Sequence, residues 1–161
     1  MKLYFKQKIF KLLDHFEVFD EDQNVVYTVD QRFKLLQYSA DVTSIVDKTN
    51  FTIESKIISL LPKYVISYEN GESIFIDFKL SLLHRKIILK TTFGELSVRG
   101  NFWDMDFDVL YEDKVVATIS KEWFAFADTY EMNIYDDRFT SAVLGITIAI
   151  DNVKDIEASA E

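Results

Sequence analysis

Apolar and polar positions alternate over most of the chain. Phe16/Val18, Tyr64/Ile66, Phe107/Val109 and Tyr130/Met132 each place apolar side chains two residues apart, the period of a half-buried strand. Polar runs separate such pairs. Asp20–Asn24, Glu69–Glu72 and Glu112–Lys114 read as turns between two strands. The unit repeats. The stretch from Lys8-Ile9-Phe10 through Phe16-Glu17-Val18 to the acidic turn and Val25-Val26-Tyr27 is echoed at Lys56–Ile66 and Lys79–Leu83. It is echoed again at Phe107–Ala117, and at Lys121–Phe126 followed by Tyr130–Ile134. Turn signals every ~8–12 residues predict an antiparallel sandwich or barrel of about a dozen strands before Asp136. A sheet of that size tends to curl or close, and closure removes the edges that would aggregate.

One stretch breaks the pattern. Phe139–Ile150 has no charge and shows apolar side chains on every face at either period. A segment apolar all round is enclosed on all sides. Asp136-Asp137 stand where a helix N-cap belongs, with negative charge at the positive end of the macrodipole. The β-branched Val143, Ile146, Thr147, Ile148 and Ile150 would also suit a strand. Capping, length and the lack of alternation favour a helix. The expected architecture is mainly β: a closed antiparallel barrel of about twelve strands around a central hydrophobic C-terminal helix. No linker divides the chain, so residues 1–156 are read as one domain and 157–161 as a frayed tail.

Composition narrows the function classes. The 161 residues suffice for one domain with a sizeable core. A hydrophobic content of 48% with 14 Phe and 8 Tyr suits strands, and 4 Gly with 1 Pro argue against long disordered linkers. The net charge of −9 disfavours nucleic acid as a partner, since phosphate contacts need clustered Lys and Arg. The absence of Cys excludes disulfides, thiolate metal sites and Cys nucleophiles, and suits a cytoplasmic setting. Met1–Lys8 has no uninterrupted apolar core, so no signal peptide is expected. The apolar run Thr140–Ile150 is eleven residues, against the ~20 that a transmembrane span needs.

The same residues carry a resemblance. Lys8-Ile9-Phe10 with Phe16-Glu17-Val18-Phe19-Asp20-Glu21-Asp22 belongs to it, as do Leu60-Leu61-Pro62-Lys63-Tyr64 and Gly100-Asn101-Phe102. So do Val116–Phe124 and Asp128-Thr129-Tyr130, with the apolar C-terminal segment. In that order and spacing, over roughly Met1 to Asp151, the chain resembles the LURP-one-related proteins. The resemblance implies the tubby C-terminal fold, a closed β-barrel around a central hydrophobic helix, with the phospholipid scramblases related in fold. It implies little about activity. Tubby domains bind phosphoinositides, plant LURP-one-like proteins are tied to defence, and many members have no assigned activity. No tubby phosphoinositide-binding motif is matched here, so no site residue is carried over, and fold alone is a weak guide to function.

Few residues offer chemistry. Asp20-Glu21-Asp22-Gln23-Asn24 begins like a calcium loop, but Val25 and Gln31 stand where that loop needs Gly and Glu. It reads as an acidic hairpin turn. Asp104, Asp106 and Asp108 alternate with Trp103, Met105, Phe107 and Val109, which predicts three carboxylates on one solvated strand face. His15 and His84 have no further ligand at metal spacing. Trp123 and Phe124 read as structural anchors of a strand pair. No nucleophile elbow, phosphate loop or dinucleotide fingerprint is present, so no catalytic residue, cofactor or metal is assigned.

The candidate site residues are basic. Lys2, Lys6 and Lys8 share a strand face by parity, and Lys79, Arg85, Lys86 and Lys90 form a second group. Brought together, Lys2, Lys6, Lys8, Arg85, Lys86 and Lys90 would make a positive patch for an anionic lipid head group or an acidic partner. The bland reading is that these cations keep the outer wall soluble and guard strand edges. Three functions are weighed: a non-catalytic binding or scaffold domain, a peripheral phospholipid-binding protein, and an enzyme built on the acidic face. The first is preferred. Its ligand is a lipid, an anionic small molecule or a protein.

Overall fold

A computed structural model describes residues 1–6, 15–34, 37–56, 61–80, 85–122 and 129–160. Lys8, His84, Trp123 and Phe124 lie outside the described residues. Twelve strands follow one another: β1 (Lys2–Lys6), β2 (His15–Phe19), β3 (Val25–Lys34), β4 (Gln37–Ser44), β5 (Phe51–Ser55) and β6 (Lys63–Tyr68). Then come β7 (Ser73–Leu80), β8 (Arg85–Thr91), β9 (Gly94–Asn101), β10 (Asp106–Tyr111), β11 (Lys114–Glu122) and β12 (Thr129–Ile134). Each pairs antiparallel with the next, and β12 pairs with β1, so the sheet closes into a barrel. In the closing ladder Leu3 faces Met132 and Phe5 faces Tyr130. The Met1 amino group and the Ile134 N–H close its end, donating to the carbonyls of Ile134 and Met1 at 2.8 Å each.

The alternation in the sequence maps onto the wall. Phe16, Val18, Tyr64, Ile66, Phe107, Val109, Tyr130 and Met132 are all buried. The predicted turns join β2 to β3, β6 to β7 and β10 to β11. In the first of these, the Asp20 carboxylate accepts the N–H of Asp22 at 2.9 Å and of Asn24 at 2.8 Å. The Asn24 amide bond, the largest effect, holds the Asp20 carboxyl below its usual range. The side chain that would open a calcium loop is thus occupied by its own turn.

Before the helix, Asp136 caps a single 3-10 turn, Asp137–Phe139, with its carboxylate accepting the Arg138 N–H. The α-helix α1 (Thr140–Ala160) follows. Every residue from Ala142 to Val153 is buried, three turns with no wet side. Such a helix lies inside the barrel and fills its lumen. Full burial of a side chain such as Ile146 or Ile150 contributes ~2–3 kcal/mol. The helix approaches the wall closely at Gly145, where an added Cβ would meet Ile66 Cδ1 at 2.2 Å. Farther along, the Tyr64 hydroxyl donates to Asn152 Oδ1 at 2.7 Å, and burial pushes that phenol up. Asp151, Asn152 and Val153 are still enclosed, so the wet side begins only at Lys154. The helix continues through Ala160, with Ile156, Glu157 and Ala158 exposed. Among the described residues no helix is long and apolar enough to cross a membrane.

Candidate functional site

With α1 in the lumen, a ligand has to meet this protein at its outer wall or at one of the two mouths. Helix α1 starts at one mouth, the near mouth, and runs toward the other, the far mouth. Antiparallel pairing sends alternate turns to each.

The near mouth holds a cleft of about 230 Å³ between the start of α1 and the rim, lined by Tyr68, Glu72, Thr91, Phe93, Arg138 and Ser141 among others. Local sequence builds it. The cap that starts the helix also binds Arg138: its Nε donates to Asp136 Oδ1 at 3.0 Å and its Nη2 to Oδ2 at 2.6 Å. This forked pair holds the Asp136 carboxyl below its usual range and raises the guanidinium. The guanidinium carbon lies 5.2 Å from the Phe139 ring centre, 5.7 Å from Phe93 and 5.9 Å from Tyr111. Phe139 meets Phe93 edge-on at 6.0 Å and Tyr111 at 5.1 Å. The Tyr111 hydroxyl donates to the Phe93 carbonyl at 2.9 Å and ties the β8–β9 turn to β10. Tyr68 also lines the cleft: burial raises its phenol, and the Ser141 hydroxyl opposes that rise.

The cleft presents hydroxyls, aromatic faces, the Glu72 carboxylate and one cation that already has its anion. Its lining contains no histidine and no activated nucleophile beside a base.

The sequence-based candidates are spread around the wall. Lys2 and Lys6 are on β1, while Arg85, Lys86 and Lys90 are on β8. Strands β12, β11, β10 and β9 separate β1 from β8 in the ring, so the two basic groups sit on different sides of the barrel. Lys2 pairs with Glu131 at 3.5 Å. Lys86 stands directly opposite Lys79, and Lys90 lies between Phe75 and Glu95 in the ladder. His15 bonds the exposed Asp30 at 2.7 Å, a pair on the outer wall.

The acidic face is smaller than the alternation predicts. Asp104 belongs to a 3-10 turn, Phe102–Asp104, that Asn101 caps, and Met105 after it takes a left-handed φ of 57°. Strand β10 therefore starts at Asp106, leaving only Asp106 and Asp108 on one face. Asp108 is taken by Arg99 at 2.9 Å. Among the described residues, no three His, Asp or Glu side chains are placed to hold a metal ion.

Arg138, Phe93, Tyr111 and Ser141 escape sequence reasoning as site residues, because a lone Arg in a cap and three scattered hydroxyl or aromatic residues carry no motif. The one available signal is the Asp-Asp-Arg-Phe run at the helix start.

A family model described as LURP-one-related matches residues 1–151. The chain is also similar to a curated protein of Bacillus subtilis (strain 168), the uncharacterized protein YxjI. The two are 29% identical over 153 residues, which is 95% of this chain and 93% of that protein. No solved structure matches significantly.

Proposed function

The chain belongs to the LURP-one-related family, and from that membership we propose a non-catalytic binding or scaffold domain that meets its ligand at the near mouth. The observation that carries this reading is the lumen filled by α1, which sends a ligand to the surface, where the cleft beside Arg138 offers a rimmed concavity at the start of that helix. The proposal includes a cytoplasmic setting, for which a chain without Cys is suited.

The test is an amide NMR titration of the full chain with a panel of small fragment ligands. Shifts clustering at Tyr68–Ser73, Thr91–Phe93 and Arg138–Ala142 are expected. Shifts confined to the outer wall, or chemical turnover of a bound fragment, would defeat the reading.

A second reading is peripheral binding to phospholipid head groups. One observation favours it: Lys79 and Lys86 face each other across β7 and β8, both exposed, next to Leu80, which is 68% exposed. Two like charges held together attract an anionic surface at ~1 kcal/mol per cation. On this reading, vesicles of phosphatidylcholine with phosphatidylserine would sediment the protein at low salt, and phosphatidylcholine alone would not. The substitution pair Lys79→Glu and Lys86→Glu would abolish it. Sedimentation indifferent to lipid charge and salt removes this reading.

A further inference from the structure

The turns at the near mouth are residues 20–24, 45–50, 69–72, 92–93 and 112–113, joined there by the connection 135–139. They contain ten carboxylates and two cations, Lys48 and Arg138. That is a side-chain net charge of minus eight in these turns, of minus nine for the whole chain, with the Met1 ammonium and Lys114 bordering the same mouth. The rest of the barrel is nearly neutral. The carboxylates converge from separate turns onto the same groups. The Tyr27 phenol is pushed up to about 12 by burial first, then by Asp47 and Asp137. Arg138 is stabilised by Asp136 and, more weakly, by Glu112.

Apolar side chains are exposed at the same mouth. Val46 is 75% exposed, Tyr135 63%, Ile45 56% and Phe93 51%, and Met1 joins them at the start of β1. Five of the eight large exposed apolar side chains among the described residues thus surround the acidic mouth. Single exposed apolar residues need no explanation, but a group gathered at one surface marks an interaction site. Phe93 and Thr49, from two different turns, border the cleft between them.

We propose that the near mouth is a docking surface for a cationic protein segment that carries bulky apolar side chains. This rests on the binding reading above and names its partner. Field lines from ten carboxylates steer a Lys- or Arg-rich segment to the mouth. An apolar side chain of that segment enters the cleft beside Phe93 and is desolvated there, as an interface anchor is. Arg138 does not repel it, because Asp136 neutralises the guanidinium at 2.6 Å. Anionic lipid and nucleic acid are repelled from this mouth by its charge. The carboxylates lie on separate turns, so they act as a field and not as a cation cage.

The experiment measures fluorescence anisotropy of labelled helical peptides with the full-length protein at 150 mM salt, a concentration that screens weak, distant charges. One peptide is built of lysine and leucine. A second, of equal charge, is built of lysine and serine. The lysine–leucine peptide is expected to bind ~10-fold or more tightly than the lysine–serine peptide. Neutralising four rim carboxylates (Glu21→Gln, Asp22→Asn, Glu112→Gln, Asp113→Asn) should weaken it ~10-fold, and so should Val46→Ser with Phe93→Ser. Neutralising four wall carboxylates (Glu17→Gln, Asp30→Asn, Glu54→Gln, Asp106→Asn) should change it less than ~2-fold. Equal losses in the rim and wall variants would overturn the proposal, and so would equal affinity for the two peptides. Salt-sensitive self-association of the protein, lost in the rim variant, would show a second copy at the mouth and overturn the separate partner. If fragments shift the cleft amides but the lysine–leucine peptide does not bind, this proposal fails and the binding reading stands. If neither binds, both fail.

Discussion

Ile146→Asp is expected to leave the chain unfolded at 25 °C. Ile146 has no exposed surface and sits in the middle of the enclosed stretch Ala142–Val153. Removing the apolar side chain forfeits ~2–4 kcal/mol of burial and packing. The new carboxylate has no partner there. It must stay ionised in an apolar medium or protonate far above its usual pKa, and either course costs several kcal/mol more. The total falls within the ~5–15 kcal/mol that holds a typical domain together. Ile156→Asp is the matched control, since Ile156 lies on the same helix but is 57% exposed. Far-ultraviolet circular dichroism on heating should show a parent-like transition for Ile156→Asp and none for Ile146→Asp. A cooperative midpoint for Ile146→Asp within a few degrees of the parent would mean that α1 is not the centre of the core.

Those two isoleucines also show how far a linear reading reaches. The change from period two to an apolar run was enough to separate wall from filling at Phe139–Ile150, because burial on every side excludes a polar face. The acidic hairpin at Asp20–Asn24 was legible for a similar reason: the side chain that makes the turn is in the turn. Parity was less informative. It says which residues of one strand share a side of the wall, but nothing about where that strand stands in the ring. Lys2 and Lys86 look alike in the sequence, yet β1 and β8 stand on different sides of the barrel. Parity also assumes an unbroken strand. At Asp104 the chain turns before β10 begins, and the expected third carboxylate drops out of the row.

The near mouth was hidden for a different reason. Each acidic turn was visible alone, and none is unusual alone. Their convergence follows from closure with antiparallel neighbours, which brings every second turn to one end. The same topology gathers Ile45, Val46, Phe93 and Tyr135, which are dispersed over some ninety residues of sequence. A surface made of charge and apolar side chains from many turns leaves no motif in the sequence.

Gly100 gives the second large effect, and it explains physically why a glycine stands in the Gly100-Asn101-Phe102 stretch. Its φ is +123°, a conformation that L side chains rarely adopt. An added Cβ would lie 2.8 Å from the Asp106 carbonyl oxygen and 2.9 Å from Phe107 Cα. Both are backbone atoms of the partner strand, where Gly100 faces Phe107 in the ladder. No rotamer change relieves such a contact. The ladder would have to shift beside the Asn101 cap and the left-handed Met105, which set where β10 starts. Backbone strain of ~1–3 kcal/mol and overpacking of ~1–3 kcal/mol then act together. Gly100→Ala should therefore cost about 3–4 kcal/mol, read as a lower urea midpoint with an unchanged slope. Gly71 separates the two contributions. Its φ is +88°, yet nothing lies within 4 Å of the Cβ it would gain. Gly71→Ala should cost only the conformational part, about 1 kcal/mol. The difference between the two variants measures what the close approach of β9 to β10 requires. Equal midpoints would show that the contact adds nothing and that Gly100 is kept for its backbone angle alone.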